Sequence, residues 1–445
     1  MFKKFLSKPL ISLILLFFIA LFVRGVLVNW TLPYGNNLDF SRYEDWTRVA
    51  HVYGFGETYK TNHLSISKYY PNNQPPGSLF ILSGAYESWI ITGKVISKLA
   101  HIPPGSNNFI NTYLQHIFMK MPGIISDLLM GFLAFWVVSK YAGRKRGLLA
   151  ASLILFNPVV LYNSSVWGQS DSWNNLFLML SLFFATRKNV IASIISFAIS
   201  IYIKFSLLPL VPFYFVFLFF ISGRNLKRIL AGVVLSIALI FLATLLVSPN
   251  PLTWILAEFP VIARGELQNM TIASFNFWWM VLCFPNVGHA HIPLITDIFM
   301  GLSLGTWGYI FFGTLTLPLI YFQLKMQEKM PLKTVFLIFS IVALLAFLFL
   351  PGMHDRYMYP VFPLLAVSVS LLKNMKVYIT FLLLFTLFNL INVIYSWYPI
   401  PLSSNTDFYH IFYGDYFGWI VSIATVLVSV LFYVFSLNKV KKGTF

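Results

Sequence analysis

The chain has 445 residues, of which 58% are hydrophobic and 10% charged, and it carries a formal net charge of +17. Soluble domains carry about 25% charged residues, so with a mean hydropathy of +0.76 this length cannot be two or three soluble domains; it reads as an all-α polytopic membrane protein. The one cysteine, Cys283, excludes an intramolecular disulfide and a cysteine metal cluster.

Apolar runs of span length recur along the whole chain. They predict about twelve transmembrane helices (range 11–13), near 9–28, 119–139, 148–163, 173–186, 189–204, 205–221, 229–247, 300–321, 334–350, 357–372, 377–395 and 416–437. The first follows Met-Phe-Lys-Lys, is longer than a signal-peptide core and lacks a cleavage site, so it counts as a membrane helix. The chain then forms a single membrane domain. A long first loop spans 30–118, a core helical module 119–248, a second loop 249–299, and C-terminal helices 300–445. Within the first loop, 79–99 places Leu82, Tyr86, Trp89 and Ile96 on one face and reads as an interfacial helix. Two short helices meeting near Lys204 keep the alternation of loops intact.

Charge sets the orientation. Twenty of the 31 basic residues fall at the N-terminus, in alternate loops near 140–146, 187–188, 224–228, 325–333 and 373–376, and in the tail at 439–442, with Glu328 the only acid among them. Excess Lys and Arg mark the cytoplasmic side, so both termini are expected there. The +17 is therefore a topology signal, and no nucleic-acid partner is expected. Twelve of the 14 acids fall in the opposite loops. Asp127 lies within a span, where a carboxylate is either functional or paired with a neighbouring helix.

Five constellations carry chemistry. Asp39, Glu44 and Asp45 crowd one stretch just after a membrane exit, where a carboxylate can act as general base or cation ligand. Tyr69 to Gly77 is rich in aromatic, amide and proline residues, a composition suited to sugars. Trp167-Gly168-Gln169-Ser170-Asp171 lies between two tryptophans. Arg264-Gly265-Glu266 precedes an aromatic run, Phe275 to Trp279, that either closes over a substrate or coats the membrane surface. His354-Asp355-Arg356-Tyr357 opens a helix; with Lys204 at the same expected depth, it offers three donors to an anionic lipid headgroup.

These motifs, in this order, resemble the GT-C superfamily of integral-membrane glycosyltransferases, most nearly bacterial proteins described as GPI-mannosyltransferase-like. The resemblance rests on Asp39 and Trp46, Tyr70 to Gly77, Asn157-Pro158, Trp167 to Asp171, Asn276 to Trp279 and His354 to Tyr357. In the Tyr-Pro turn two Asn and a Gln stand before Pro75-Pro76, a departure that touches the acceptor pocket. The resemblance implies inverting transfer of mannose or another hexose from a polyprenyl-phosphate donor. The acceptor would be a lipid-linked glycan, a lipid or another cell-surface molecule, on the extracytoplasmic face of a bacterial or archaeal plasma membrane. Asp39 matches the family's general base. Asp45, Tyr70, Trp167, Gln169, Asp171, Lys204, Arg264, Glu266, His354, Arg356 and Tyr357 are the expected substrate-binding residues, with Gln169 and Asp171 orienting sugar hydroxyls. No cofactor is required; a divalent metal beside Asp39 is compatible, since some relatives use one. The competing reading is a polytopic transporter or lipid flippase, for which Lys204 near Pro209 and Pro212 speaks, though the two halves of the chain show no repeat.

Overall fold

In the computed structural model the chain is a helical bundle; residues 8–32, 38–60, 71–101, 109–264, 268–283, 294–373, 375–397 and 416–442 are described. A helix stands at each of the twelve places expected. Seven meet the length and apolarity needed to cross a membrane, among them α1 (Lys8–Thr31), α4 (Gln115–Ala142), α10 (Leu226–Thr244), α13 (Leu304–Met326), α14 (Leu332–Phe349), α16 (Met375–Ser396) and α17 (Phe417–Lys442). The other five expected spans are shorter or broken.

The breaks have local causes. The span expected at 148–163 is α5 (Arg144–Leu155) followed by α6 (Pro158–Leu161) and a π-helical turn, Tyr162–Trp167, bent by 49°. Pro158 has no N–H to continue α5, and the Asn157 side chain accepts from the N–H groups of Val159 and Val160 to restart the helix. Between α7 (Asp171–Thr186) and α10 lie α8 (Val190–Ile203), a 3-10 turn Phe205–Leu210 and α9 (Val211–Ile221). Lys204 adopts an extended backbone between them, which gives the two short helices expected. The span expected at 357–372 contracts to α15 (Val361–Leu371), about 16 Å long and too short to cross alone.

α14 explains why a short α15 is tolerated. From Thr334 to Phe349 every α14 residue is buried, and so is α15 from Val361 to Ser370. A helix apolar all round belongs inside, so this pair is the centre of the bundle. α1, α10 and α13 lie outside and expose Phe18, Phe22, Leu230, Ile237, Tyr309 and Leu317, as a lipid-facing surface should.

The basic loops meet at one end. Arg146 donates to the Leu372 carbonyl at 3.1 Å, Arg224 to Gln327 at 2.8 Å, and Ser368 to the Lys333 carbonyl at 2.9 Å. At the other end the expected long loop contains two helices, α2 (Leu38–Tyr53) and α3 (Pro76–Leu99). At 24 residues α3 is long and apolar enough to cross a membrane, whereas 79–99 was read as interfacial. Its inner face clusters with Met119, Trp173, Phe177, Ile199 and Ile203, all near the ends of α4, α7 and α8. α3 thus caps those ends. Gly77 lets it approach closely, because a Cβ there would stand 2.7 Å from the Tyr202 carbonyl oxygen.

Short strands complete this end. β1 (Thr271–Ile272) pairs in parallel with β4 (Met353–His354), and β2 (Ile298–Phe299) forms a hairpin with β3 (Leu302–Ser303) before α13. α11 (Pro251–Arg264) and α12 (Phe277–Leu282) flank them.

Candidate active site

The α2 end of the bundle contains a cleft of about 1390 Å³. α2 contributes Asp39, Arg42 and Tyr43, the 73–75 segment Gln74, α11 Arg264, and the turn after β4 Asp355, Arg356 and Tyr357, with Trp167, Lys204 and His354 also in the wall. The lining also has an apolar part, with Leu208, Pro209, Ile262, Ile295, Tyr309 and Phe312. Leu208 and Tyr309 in this apolar part of the lining are exposed.

Arg356 sits among three carboxylates. Its Nη1 is 3.3 Å from Asp355 Oδ1, Nη2 is 3.6 Å from Asp39 Oδ2, and Nε is 3.7 Å from Asp171 Oδ2. Its guanidinium also stacks 5.2 Å from the Trp167 ring centre. Burial alone would discourage its charge, but Asp39, Asp355 and Asp171 outweigh that and hold its pKa above the ordinary arginine value. Lys204 donates to Asp171 at 2.5 Å, both side chains nearly buried. Asp171 opens α7, where the helix dipole favours a carboxylate. Burial raises Asp355 to about 6, with Arg356 opposing the shift. His354 is held neutral, its pKa pushed well down by burial and then by Arg356, Lys204 and Arg42.

The expected three-donor clamp is therefore changed in character. His354, Lys204 and Arg356 do gather in one wall, but His354 brings no charge and the two cations face three carboxylates. Arg264, in the last turn of α11, adds a further cation to the lining and has no ion pair among the described residues.

Other expected residues are placed differently. Asp45 does not line the cleft; it faces away on α2 and pairs with Arg48 one turn on. Gln169 and Asp171 are buried behind the wall rather than open to a sugar, because each is bonded to a wall residue: Gln169 Nε2 donates to Asp39 Oδ2 at 2.7 Å, and Asp171 accepts from Lys204. Trp167 and Tyr357 are wall residues. Tyr70 and Glu266 lie outside the described residues. The aromatic run 275–279 is structural: Asn276 caps α12 and donates to the Phe347 carbonyl at 3.0 Å, and Trp278 Nε1 donates to the Phe349 carbonyl at 2.7 Å. It thereby caps the end of α14 instead of covering a substrate.

Among the described residues there is no group of three His, Cys, Asp or Glu side chains placed to hold a metal. In the Asp39, Asp171 and Asp355 cluster the guanidinium and ammonium already occupy the space between carboxylates.

Two charged networks brace the wall from behind. Asp127 accepts from Arg24 at 3.0 Å and 3.3 Å, from Ser164 at 2.6 Å and from Tyr359 at 3.1 Å. Of the two readings open for Asp127, the observed contacts are those of interhelical pairing. Lys120, fully buried, donates to the Ser165 and Val166 carbonyls at 3.1 Å and 2.8 Å and to Thr31 at 3.0 Å. It so holds the π-helical turn that delivers Trp167. Gly168 follows with φ +82°, and a Cβ there would lie 2.8 Å from the Phe40 ring, so the turn and α2 touch where only glycine fits.

Sequence reading did not single out Arg24 or Lys120, and it gave no role to Arg42, Tyr43, Gln74 or Asp355, although their segments were placed at this end. Arg42 and Tyr43 were recoverable, since they follow Asp39 at helical spacing of three and four once 38–53 is read as a helix rather than a loop.

No protein-family model matches the chain, and no curated protein matches it. Among solved structures it is similar to ArnT from Cupriavidus metallidurans bound to undecaprenyl phosphate, at 12% sequence identity and a TM-score of 0.48, over 97% of this chain and 77% of that one.

Proposed function

We propose that the chain is a GT-C glycosyltransferase that moves mannose or another hexose from a polyprenyl-phosphate donor to a glycan, lipid or cell-surface acceptor on the extracytoplasmic side. The observation that carries this reading is the make-up of the cleft. The lining combines a part-exposed carboxylate, Asp39, with cations, one of them beside it, and with apolar side chains. A lipid-tailed phosphosugar has the same three-part chemistry. The polyprenyl tail lies along Leu208, Ile262, Tyr309 and Phe312.

Asp39 takes the proton from the acceptor hydroxyl. The acceptor oxygen attacks the anomeric carbon opposite the phosphate, the bond to phosphate oxygen breaks, and the polyprenyl phosphate leaves with inversion. The leaving phosphate needs charge stabilisation rather than a strong acid. Arg264 supplies a further cation in the lining, while Arg356 and Lys204, offset by their carboxylates, orient Asp39 and Asp171.

The test is incubation of purified protein with a panel of polyprenyl-phosphate sugars and lipid acceptors, with Asp39→Asn beside the wild type. One donor should be consumed by the wild type, and Asp39→Asn should be slower by about 10²-fold or more while remaining folded. Near wild-type turnover by Asp39→Asn would remove the base assignment. Movement of intact donor across a vesicle bilayer without sugar transfer would point to a flippase instead.

A further inference from the structure

A single line of hydrogen bonds runs from α3 to Asp39. Ser78 Oγ meets Gln74 Oε1 at 2.6 Å, Gln74 Nε2 meets Tyr43 Oη at 3.1 Å, Tyr43 Oη meets Gln169 Oε1 at 3.1 Å, and Gln169 Nε2 meets Asp39 Oδ2 at 2.7 Å. The direction of every bond follows from the last. An ionised carboxylate only accepts, so Gln169 must turn its NH2 to Asp39. Its carbonyl oxygen then faces Tyr43, which must donate. The Tyr43 oxygen can then only accept, so Gln74 presents its NH2, and Ser78 donates to the remaining Gln74 oxygen. No member can reverse without opposing two acceptors or two donors.

The line is held at its far end. The Gln74 N–H donates to Asn72 Oδ1 at 2.9 Å and its carbonyl accepts from Tyr59 Oη at 3.0 Å, so this residue is fixed by main chain as well as side chain. Tyr43 is buried, and its pKa lies above the ordinary phenol value through burial and the neighbouring Asp39, so it stays a neutral donor. At the near end Gln169 and Arg356 both address Oδ2 of Asp39. Oδ1 has no hydrogen bond among the described residues, and the side chain is 24% exposed into the cleft.

We infer that Tyr43, Gln74 and Ser78 are positioning residues that lock the Gln169 amide, and that this lock assigns Oδ1 of Asp39 as the oxygen that receives the acceptor's proton. The inference rests on the proposed transfer reaction with Asp39 as base. With Gln169 and Arg356 on Oδ2, Oδ1 is left to face the acceptor hydroxyl. Without the Tyr43 hydroxyl, Gln169 has no partner for its carbonyl, and its amide is free to turn that oxygen toward Asp39.

The experiment is the pH profile of kcat/KM for Tyr43→Phe against wild type, using the donor that the panel identifies. The acid limb should move up by about one pH unit, with the donor KM unchanged. Gln74→Met, which removes the group that fixes the Tyr43 hydroxyl, should move it the same way by less; it serves as the reading if Tyr43→Phe does not fold. The same shift should appear without turnover in an infrared pH titration of protein carrying 13C-labelled aspartate, with Asp39→Asn as the blank. An acid limb and an Asp39 titration unmoved in the folded variants would overturn the lock. Activity retained in Asp39→Asn would instead overturn the reaction on which it rests, so the two failures are separable.

Discussion

The buried pair Arg24–Asp127 offers the sharpest test of how the wall is braced. Both side chains are 0% exposed. Arg24 makes two bonds to Asp127 Oδ2 and donates as well to the Ala20 and Leu155 carbonyls at 3.1 Å and 3.0 Å. Arg24→Met keeps most of the volume and leaves the carboxylate with neutral partners such as Ser164 and Tyr359. Removing one partner of a buried pair costs about 3–5 kcal/mol, since the other charge stays buried and uncompensated. Two charge-assisted hydrogen bonds at about 1.5–3 kcal/mol each give about 3–6 kcal/mol, which overlaps that range. Asp127→Asn should cost a similar amount by stranding the guanidinium. The double variant strands neither, so it should lose only about 1–2 kcal/mol, less than either single change. The assay is unfolding in mixed micelles by SDS titration, followed by tryptophan fluorescence. Additive losses in the double variant, or an Arg24→Met within about 1 kcal/mol of wild type, would refute the reasoning.

Two other outcomes follow from the same geometry. Burial holds the folded pKa of Asp355 at about 6, above its unfolded value. Its contribution to stability is thus complete below the unfolded pKa and lost as pH rises through about 6, by up to about 3 kcal/mol. Asp355→Asn should therefore flatten the stability profile between pH values of about 4 and 8, with its gain at the alkaline end; an unchanged profile in the same titration would contradict this. Gly168→Ala combines a left-handed backbone with overlap on Phe40. It should cost about 1–2 kcal/mol and displace the helix bearing Asp39, lowering turnover more than stability; full turnover would show that the contact does not set the position of Asp39.

The sequence by itself determined the membrane class, the places of the twelve expected helices and the sorting of basic loops, though not α2. Those features depend on local composition: an apolar run must leave water wherever its neighbours lie, and Pro158 has no N–H to continue a helix whatever packs against it. Asp39, Arg356 and Lys204 were also legible as one end of the bundle, because loop alternation puts them at one depth. The tertiary structure decided what each charge faces. Arg356 reads as a free cation in sequence, yet Asp39 and Asp171, respectively 317 and 185 positions away by their numbering, close around it. Asp45 looks as available as Asp39, but six residues of helix turn it to Arg48 and away from the cleft. Gln169 looks like a sugar ligand until its amide is found between Tyr43 and Asp39. Electrostatic partnership depends on distances of a few ångströms between segments far apart in the chain, and no local pattern encodes those distances.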